Sequence, residues 1–361
     1  MVADKAKQFF DNVDMLDIRN MQVTVNGKGV SLIHEGKELE EYDCVYVKGS
    51  FKYALLARGI TKALQGKCYL PLMPESFTIG HDKFLTLLNL QSHKIDMPTT
   101  YLAGTTKAAK KIVENIHYPA ILKIPSGTHG KGVMFADSSE SAKSILDTLE
   151  VFKQPYIIQE FIESGATDIR ALVVGDRVLG SMKRRAVKGE LRANIHMGAT
   201  GENYVLDYDT KRLAVKSGKA IGADICAVDI LQSGSRSVVI EVNVSPGIQG
   251  LTAATKKDIA LGIAEFLYEK TKEFKKNSGN AAYHGVLKEL SINTEKEVIT
   301  NLDIRAGVIR LPPVIAKAAE LTEDDDVLIR VKKGKIIVEK HSMWNGKRAK
   351  CWFNWESTKR Q

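Results

Sequence analysis

The sequence predicts an α/β protein of two or three domains. At 361 residues the chain is longer than one compact domain. Residues 1–75 alternate short β-branched runs with helical spacing, the pattern of a small parallel sheet flanked by helices. Farther along, paired apolar runs separated by Gly-containing turns read as hairpins. The charge balance, 52 Lys and Arg against 43 Asp and Glu or +9 with His neutral, favours a polyanionic ligand or partner. It does not choose among nucleotide, nucleic acid and acidic protein. No apolar run reaches the length of a membrane span, and the start, M-V-A-D-K-A-K-Q-F-F, has no signal-peptide character. Cys44, Cys68, Cys226 and Cys351 lack C-x-x-C spacing and read as reduced packing residues of a cytoplasmic protein.

Taken in order, Lys5–Phe10 is a helix remnant, and Asp14–Ile18, Met21–Val25 and Cys44–Lys48 are strand-like. Phe51–Leu64 has helical period and ends at Gly66. An α/β unit normally opens on a strand, so the expectation here is a first strand that is missing or supplied by another segment. His81–Gln91 reads as a helix carrying Lys83, Thr99–Leu102 as a strand, and Thr105–Asn115 as a helix with Thr105 at its N-cap. In Ala120–Val133, A-I-L-K-I-P-S-G-T-H-G-K-G-V, a strand bearing Lys123 enters a loop with Gly127, Gly130 and Gly132. Glycines let backbone N–H groups approach phosphate oxygens, and Lys adds a point charge. The spacing is not G-x-x-x-x-G-K-[ST], and the loop leads to another strand, Val133–Ala136, so a phosphate-binding hairpin fits better than a P-loop. By itself the loop is equally a flexible turn.

Tyr156–Ile162 is a strand, and Asp168–Val174 and Arg177–Lys183 form a hairpin turned by Gly175-Asp176. Arg184, Arg185, Arg192 and Asn194 then gather cations beside the glycine loop, with a solvated basic face as the plainer alternative. Lys211–Ile221 is an amphipathic helix, Lys256–Lys272 a long one, and Lys275–Ala282 a polar linker. Between the two helices, Ala227–Leu231 and Val238–Val242 flank a Ser/Gly turn. This hairpin carries Asp229, Glu241 and Asn243. Glu241 and Asn243 are two apart on one strand and share a face. Asp229 joins them there if the strands pair, making a hard-oxygen patch suited to Mg²⁺. A solvated hairpin edge would look the same.

The ordered set decides between these readings: a strand Lys, a Gly-rich hairpin, Q-E, D-I-R, an Arg pair, R-A-N, V-D-I and E-V-N-V-S-P-G. It resembles the ATP-grasp superfamily, and within it the RimK-type carboxylate–amine ligases, over roughly residues 10–272. The resemblance implies that Lys83 and Lys123 contact nucleotide phosphates and that Glu160 and the Phe161 backbone hold adenine. It places Asp168 at the ribose, Arg192 and Asn194 by the phosphates and reacting acid, and Asp229, Glu241 and Asn243 on Mg²⁺, with Mn²⁺ as a substitute. The implied activity is ATP-dependent amide formation through an acylphosphate, adding glutamate or a similar amino acid to a protein, carrier-protein or coenzyme acceptor. Arg192 or Arg185 is then the cationic donor to the developing oxyanion. Lys131, the R-A-N triplet, and Met197 and Ala199 in N-I-H-M-G-A depart from the family pattern.

Beyond the grasp region, A-G-V-I-R-L-P-P-V-I-A-K-A-A-E-L and the charged hairpin that follows it resemble the AbrB/MazE-like swapped-hairpin fold, an interlaced dimer. The expected divisions are 1–80 as an α/β pre-ATP-grasp domain, 81–274 as the ATP-grasp domain and 275–285 as a linker. An AbrB-like domain over 286–340 and a basic Trp-rich tail over 341–361 follow. Self-association into a dimer or tetramer is the first expectation for the AbrB-like domain, with DNA contact second. Trp344, Trp352 and Trp355 lie in the tail, expected either to be disordered or to pack on the ligase. Competing readings are another ATP-grasp ligase or kinase, and a DNA-binding regulator whose grasp domain senses nucleotide.

Overall fold

A computed structural model describes residues 1–27, 29–125, 132–185, 200–289, 303–305, 308–310, 327–332, 335–340 and 350–355. The chain forms two compact units, one of Met1–Phe274 with Ala349–Gln361, the other of Lys275–Arg348.

The first unit begins with helix α1 (Val2–Ala6) and strand β1 (Asn12–Asp17). Strands β2 (Met21–Asn26), β3 (Gly29–His34) and β4 (Lys37–Glu38) make an antiparallel meander. Strand β5 (Cys44–Tyr46) and helices α2 (Ala54–Leu64) and α3 (Pro74–Gly80) follow. Met21–Val25 is thus a strand, as its composition predicts, but it belongs to the meander and not to the parallel sheet. The parallel sheet has the order β1, C-terminal strand Lys350–Trp355, β5. Asn12 pairs with Lys350, and Cys351 with Cys44. The anticipated missing strand therefore comes from the Trp-rich tail. Trp352 is fully buried and faces Tyr42 at 6.1 Å, and Phe353 packs edge-on to Tyr46 at 6.0 Å. Asp43 fixes the strand's start by exchanging hydrogen bonds with Lys350: its carboxylate accepts at 2.6 Å and its N–H donates at 2.8 Å.

A four-stranded antiparallel sheet comes next, in the order β6 (Thr100–Tyr101), β9 (Ile157–Glu160), β7 (Ala120–Lys123), β8 (Val133–Ala136). Helix α4 (Lys83–Ser92) precedes it. Its N-cap is Asp82, whose carboxylate accepts from the N–H groups of Phe84 and Leu85 at 2.9 Å. Helices α5 (Thr106–Val113) and α6 (Ser139–Val151) cover the sheet and close a separate small core around Leu122, Leu146 and Ile158. Thr105 caps α5, as its spacing predicts, accepting from Ala108 N–H at 3.1 Å.

The third sheet has the order β12 (Thr200–Asn203), β11 (Arg177–Arg185), β10 (Thr167–Val174), β13 (Ile225–Ser233), β14 (Arg236–Asn243), all antiparallel. Gly175 turns the β10–β11 hairpin at φ +61°, where a Cβ would also lie 2.5 Å from Phe266. Both conditions require glycine. Helix α7 (Tyr208–Ala220) is capped by Asp207, and α8 (Gln249–Thr255) ends at Lys256 in the left-handed region. Helix α9 spans Ile259–Glu289 and buries Ile263, Leu267 and Thr271, spaced four residues apart. It continues through Lys275–Ala282, expected to be a polar linker, which has no proline and a single glycine. That glycine costs a helix only about 1 kcal/mol.

In the second unit, β15 (Asp303–Arg305) pairs with β16 (Val308–Arg310), and β17 (Val327–Lys332) with β18 (Lys335–Lys340). The stretch between these two hairpins, 311–326, lies outside the described residues. The C-terminal strand Lys350–Trp355 is β19.

Candidate active site

Register brings the polar residues of the third sheet onto one face. Asp229 on β13 stands opposite both Glu241 on β14 and Arg170 on β10, while Asp168 on β10 stands opposite Arg184 on β11. Directly opposed residues share a face, as do residues two apart on a strand. Arg184, Asp168, Arg170, Asp229, Glu241 and Asn243 therefore form one continuous polar stripe.

Its centre is a buried ion network. Arg170 donates to both Asp229 oxygens, through Nε at 2.8 Å and Nη2 at 2.7 Å. Arg184 bridges the two aspartates, donating to Asp168 at 2.5 and 2.8 Å and lying 2.9 Å from Asp229 Oδ2. Arg184 and Asp229 are only 5 % and 4 % exposed. Burial alone would push the Asp229 carboxyl up, but the two guanidinium groups overcome it and hold that carboxyl low. At Asp168 burial prevails over Arg184, the Asp229 charge adds to it, and the carboxyl is pushed up. Asp168, expected at the ribose, has both carboxylate oxygens engaged by Arg184. The sequence reading missed Arg170 and Arg184 as site residues. The i, i+2 spacing of Asp168 and Arg170 puts both on one face of a strand but does not name their partners.

Lys123 lies on β7, as expected. Its ammonium donates to the Gln159 side chain, which in turn donates to Thr100 Oγ1 at 2.8 Å. Lys123 is half-buried, and burial pushes it down to about 8, with the Glu241 carboxylate opposing the shift and the Lys83 charge adding to it. The Lys123 ammonium thus feels the charges of both Glu241 and Lys83. The Lys83 ammonium donates to the Pro125 carbonyl at 3.3 Å, just before the glycine loop. Beyond the loop, Gly132 sits at φ +76°, and a Cβ there would lie 3.0 Å from Ile124. The β7–β8 hairpin has the anticipated form, while Gly127 and Gly130 lie outside the described residues.

Glu160, expected at adenine, uses its carboxylate locally. It accepts from Thr99 N–H at 3.0 Å and from Arg236 Nη1 at 2.8 Å. Phe161 packs edge-on against Phe135 at 5.5 Å. Arg185 is exposed at the end of β11, on the opposite face from Arg184. Arg192 and Asn194 lie outside the described residues. Asn243 Oδ1 accepts from Ser245 N–H at 2.9 Å, fixing the turn that leaves β14.

Asp229, Glu241 and Asn243 present only hard oxygens, and this donor set fits Mg²⁺. Asp229 already accepts from two guanidinium groups, which leaves Glu241 and Asn243 as the more open pair.

The RimK-like ATP-grasp domain family matches residues 80–267. The "Probable alpha-L-glutamate ligase" of Mannheimia succiniciproducens is 37% identical over 235 residues, covering 64% of this chain and 78% of its own length. Its namesake from Shewanella loihica is 33% identical over 264 residues, covering 72% and 87%. Among solved structures, the ATP-grasp ligase PsnB with a minimal precursor superposes with a TM-score of 0.56 at 16% identity, over 75% of this chain and 93% of that one. D-alanine–D-alanine ligase from Bacillus anthracis does so with a TM-score of 0.50 at 16% identity, over 65% and 82%. The ATP-grasp fold, the family match and relatives that align over most of their own length agree: this chain belongs to the RimK-like ATP-grasp family and is an ATP-dependent ligase that forms C–N bonds.

Proposed function

We propose that the protein activates a carboxylate with Mg²⁺-ATP as an acylphosphate and joins it to the amine of glutamate or a similar amino acid. The observation that carries this reading is the polar stripe on which Asp229, Glu241 and Asn243 share a face, with the Lys123 ammonium feeling the charges of both Glu241 and Lys83. A carboxylate approaching the ATP γ-phosphate meets strong repulsion between anions. Phosphoryl transfer accordingly depends on positioning and charge stabilisation more than on covalent help. Lys83 and Lys123 supply fixed positive charge to the phosphates. Mg²⁺, which PsnB holds together with ADP, would sit on Glu241, Asn243 and Asp229 and neutralise phosphate oxygens. Mn²⁺ has the same donor preference. Arg192 or Arg185 would stabilise the carbonyl oxygen as the amine attacks, and Asn194 would sit by the phosphates. The Glu160 carboxylate is engaged by Thr99 and Arg236, so contact with adenine falls to the backbone at Glu160 and Phe161.

Glutamate leads the candidates because the relatives are named for it. The acceptor would be a protein, a carrier protein or a coenzyme tail. The test is amino-acid-dependent ADP release across a panel led by glutamate, followed by mass spectrometry of modified acceptors. Release that is independent of every amino acid would favour a kinase instead.

For the second unit the proposal is an AbrB-like module that self-associates. Its β17–β18 hairpin, with β-branched residues on both strands, supports this. A hairpin alone is marginally stable and leaves open edges for a partner to cover. Light scattering that finds a monomeric full-length chain would exclude it, and tight, salt-dependent duplex binding would promote the DNA-binding reading. No helix among the described residues is long and apolar enough to cross a membrane. All four cysteines are free and buried, which supports a reducing, cytoplasmic setting.

A further inference from the structure

Lys48 lies two residues beyond β5, at the carboxyl end of the parallel sheet β1–β19–β5. Open α/β sheets characteristically bind ligands at this edge. The side chain reaches out of its own sheet. Its ammonium donates to the Pro246 carbonyl at 2.9 Å and lies 5.8 Å from the centre of the Tyr46 ring. Pro246 is three residues past Asn243, in the turn that the Asn243 side chain fixes through Ser245 N–H. Lys48 is thus tied to the metal-binding end of β14, while the phosphate lysines Lys83 and Lys123 come from α4 and β7. The side chain is half-buried. Burial pushes its ammonium down to about 8.

The proposed reaction has a use for a cation close to the end of β14. An amino acid attacking an acylphosphate through its amine brings carboxylate charge toward an already anionic centre. That carboxylate does not react, and it must be held and neutralised for the amine to approach. We infer that Lys48 is a substrate-specificity residue whose ammonium holds a non-reacting carboxylate of the incoming amino acid. This inference rests on the ligase reading above, so its test separates the two.

The experiment measures steady-state ADP release by the full-length protein with glutamate, with isoglutamine (its α-amide) and with glutamine (its γ-amide). If wild type shows no amino-acid-dependent release, the ligase reading itself fails. If it does, Lys48→Met should raise the KM for glutamate about tenfold or more while leaving the KM for ATP within about twofold. It should also remove most of the wild-type preference for glutamate over one of the two amides. Lys48→Arg keeps the charge and should restore much of that preference. A loss confined to kcat, or an equal rise in KM for glutamate and both amides, would make Lys48 a support for the Pro246 turn and overturn the inference. Unchanged ATP affinity and thermal melting of Lys48→Met serve as the control for folding.

Discussion

Arg170 and Asp229 stand directly opposite each other on neighbouring strands, and the guanidinium grips both carboxylate oxygens, at 2.8 and 2.7 Å. Arg184 completes the arrangement by joining Asp229 to Asp168. Removing one partner from a buried pair leaves an uncompensated charge, which typically costs about 3–5 kcal/mol. Arg184→Met should therefore shift the urea midpoint strongly downward. A shift worth less than about 1 kcal/mol, the scale of an exposed pair, would show that the network contributes little to stability.

Glu241→Ala and Asn243→Ala should each abolish ADP formation while melting close to wild type. Both side chains are half-buried at the edge of the sheet, so truncation leaves the β13–β14 core untouched. Losing a ligand that fixes charge at the transferring phosphoryl group removes orders of magnitude in rate. Turnover within about threefold of wild type for both variants would move the metal site elsewhere.

Lys123 predicts a pH dependence with a definite sign. Its pKa in the free protein is lowered to about 8 by burial, and phosphate binds the charged form. ATP affinity should be full below pH 8 and fall, approaching tenfold per pH unit, as pH rises through that value. Folding stability runs the other way. Above pH 8 the unfolded chain keeps the proton that the folded one has released, so this group's contribution to stability increases with pH. Titration calorimetry from pH 7 to about 9.5 reads the first effect. Lys123→Arg should flatten it, because Arg stays charged throughout. Lys123→Ala should weaken ATP binding by about 1.5–3 kcal/mol.

Trp352→Ala should destabilise the first unit by about 3–5 kcal/mol, the usual cost of emptying a fully buried aromatic site. The chain's three tryptophans all fall between Trp344 and Trp355, so intrinsic fluorescence reports docking of β19. Blue-shifted emission that moves red together with loss of the fold is expected. A chain cut near Asn280 would lose β19, the strand that joins β1 to β5. That variant should be unstable and inactive, and wild-type turnover from it would contradict the sheet order.

Much of the grasp region was legible because its signals are local. The hairpins at Gly175 and Gly234, the cap at Thr105, and the Glu241–Asn243 alternation all arise within a few residues. What was not legible depends on distant pairing. Nothing near Asn12 announces that Lys350 will lie beside it. Nor does the D-I-R motif reveal that Arg170 will turn its guanidinium to Asp229 and that Asp168 will be taken by Arg184. Lys48 escaped notice for the same reason, since a Lys after a short strand is ordinary until Pro246 is found beside it.

The position of β19 also sets an order of events during synthesis. β1 and β5 leave the ribosome early, yet the strand that joins them follows only after the whole second unit has been made. Through that interval both strands carry unpaired inner edges, open to chaperones or to β-rich neighbours. Once the sheet has closed, the peptide link through residues 275–348 is no longer the only tie between its parts. A protease nick in that segment should leave two fragments that copurify, with residues 349–361 retained by backbone pairing and the buried Trp352.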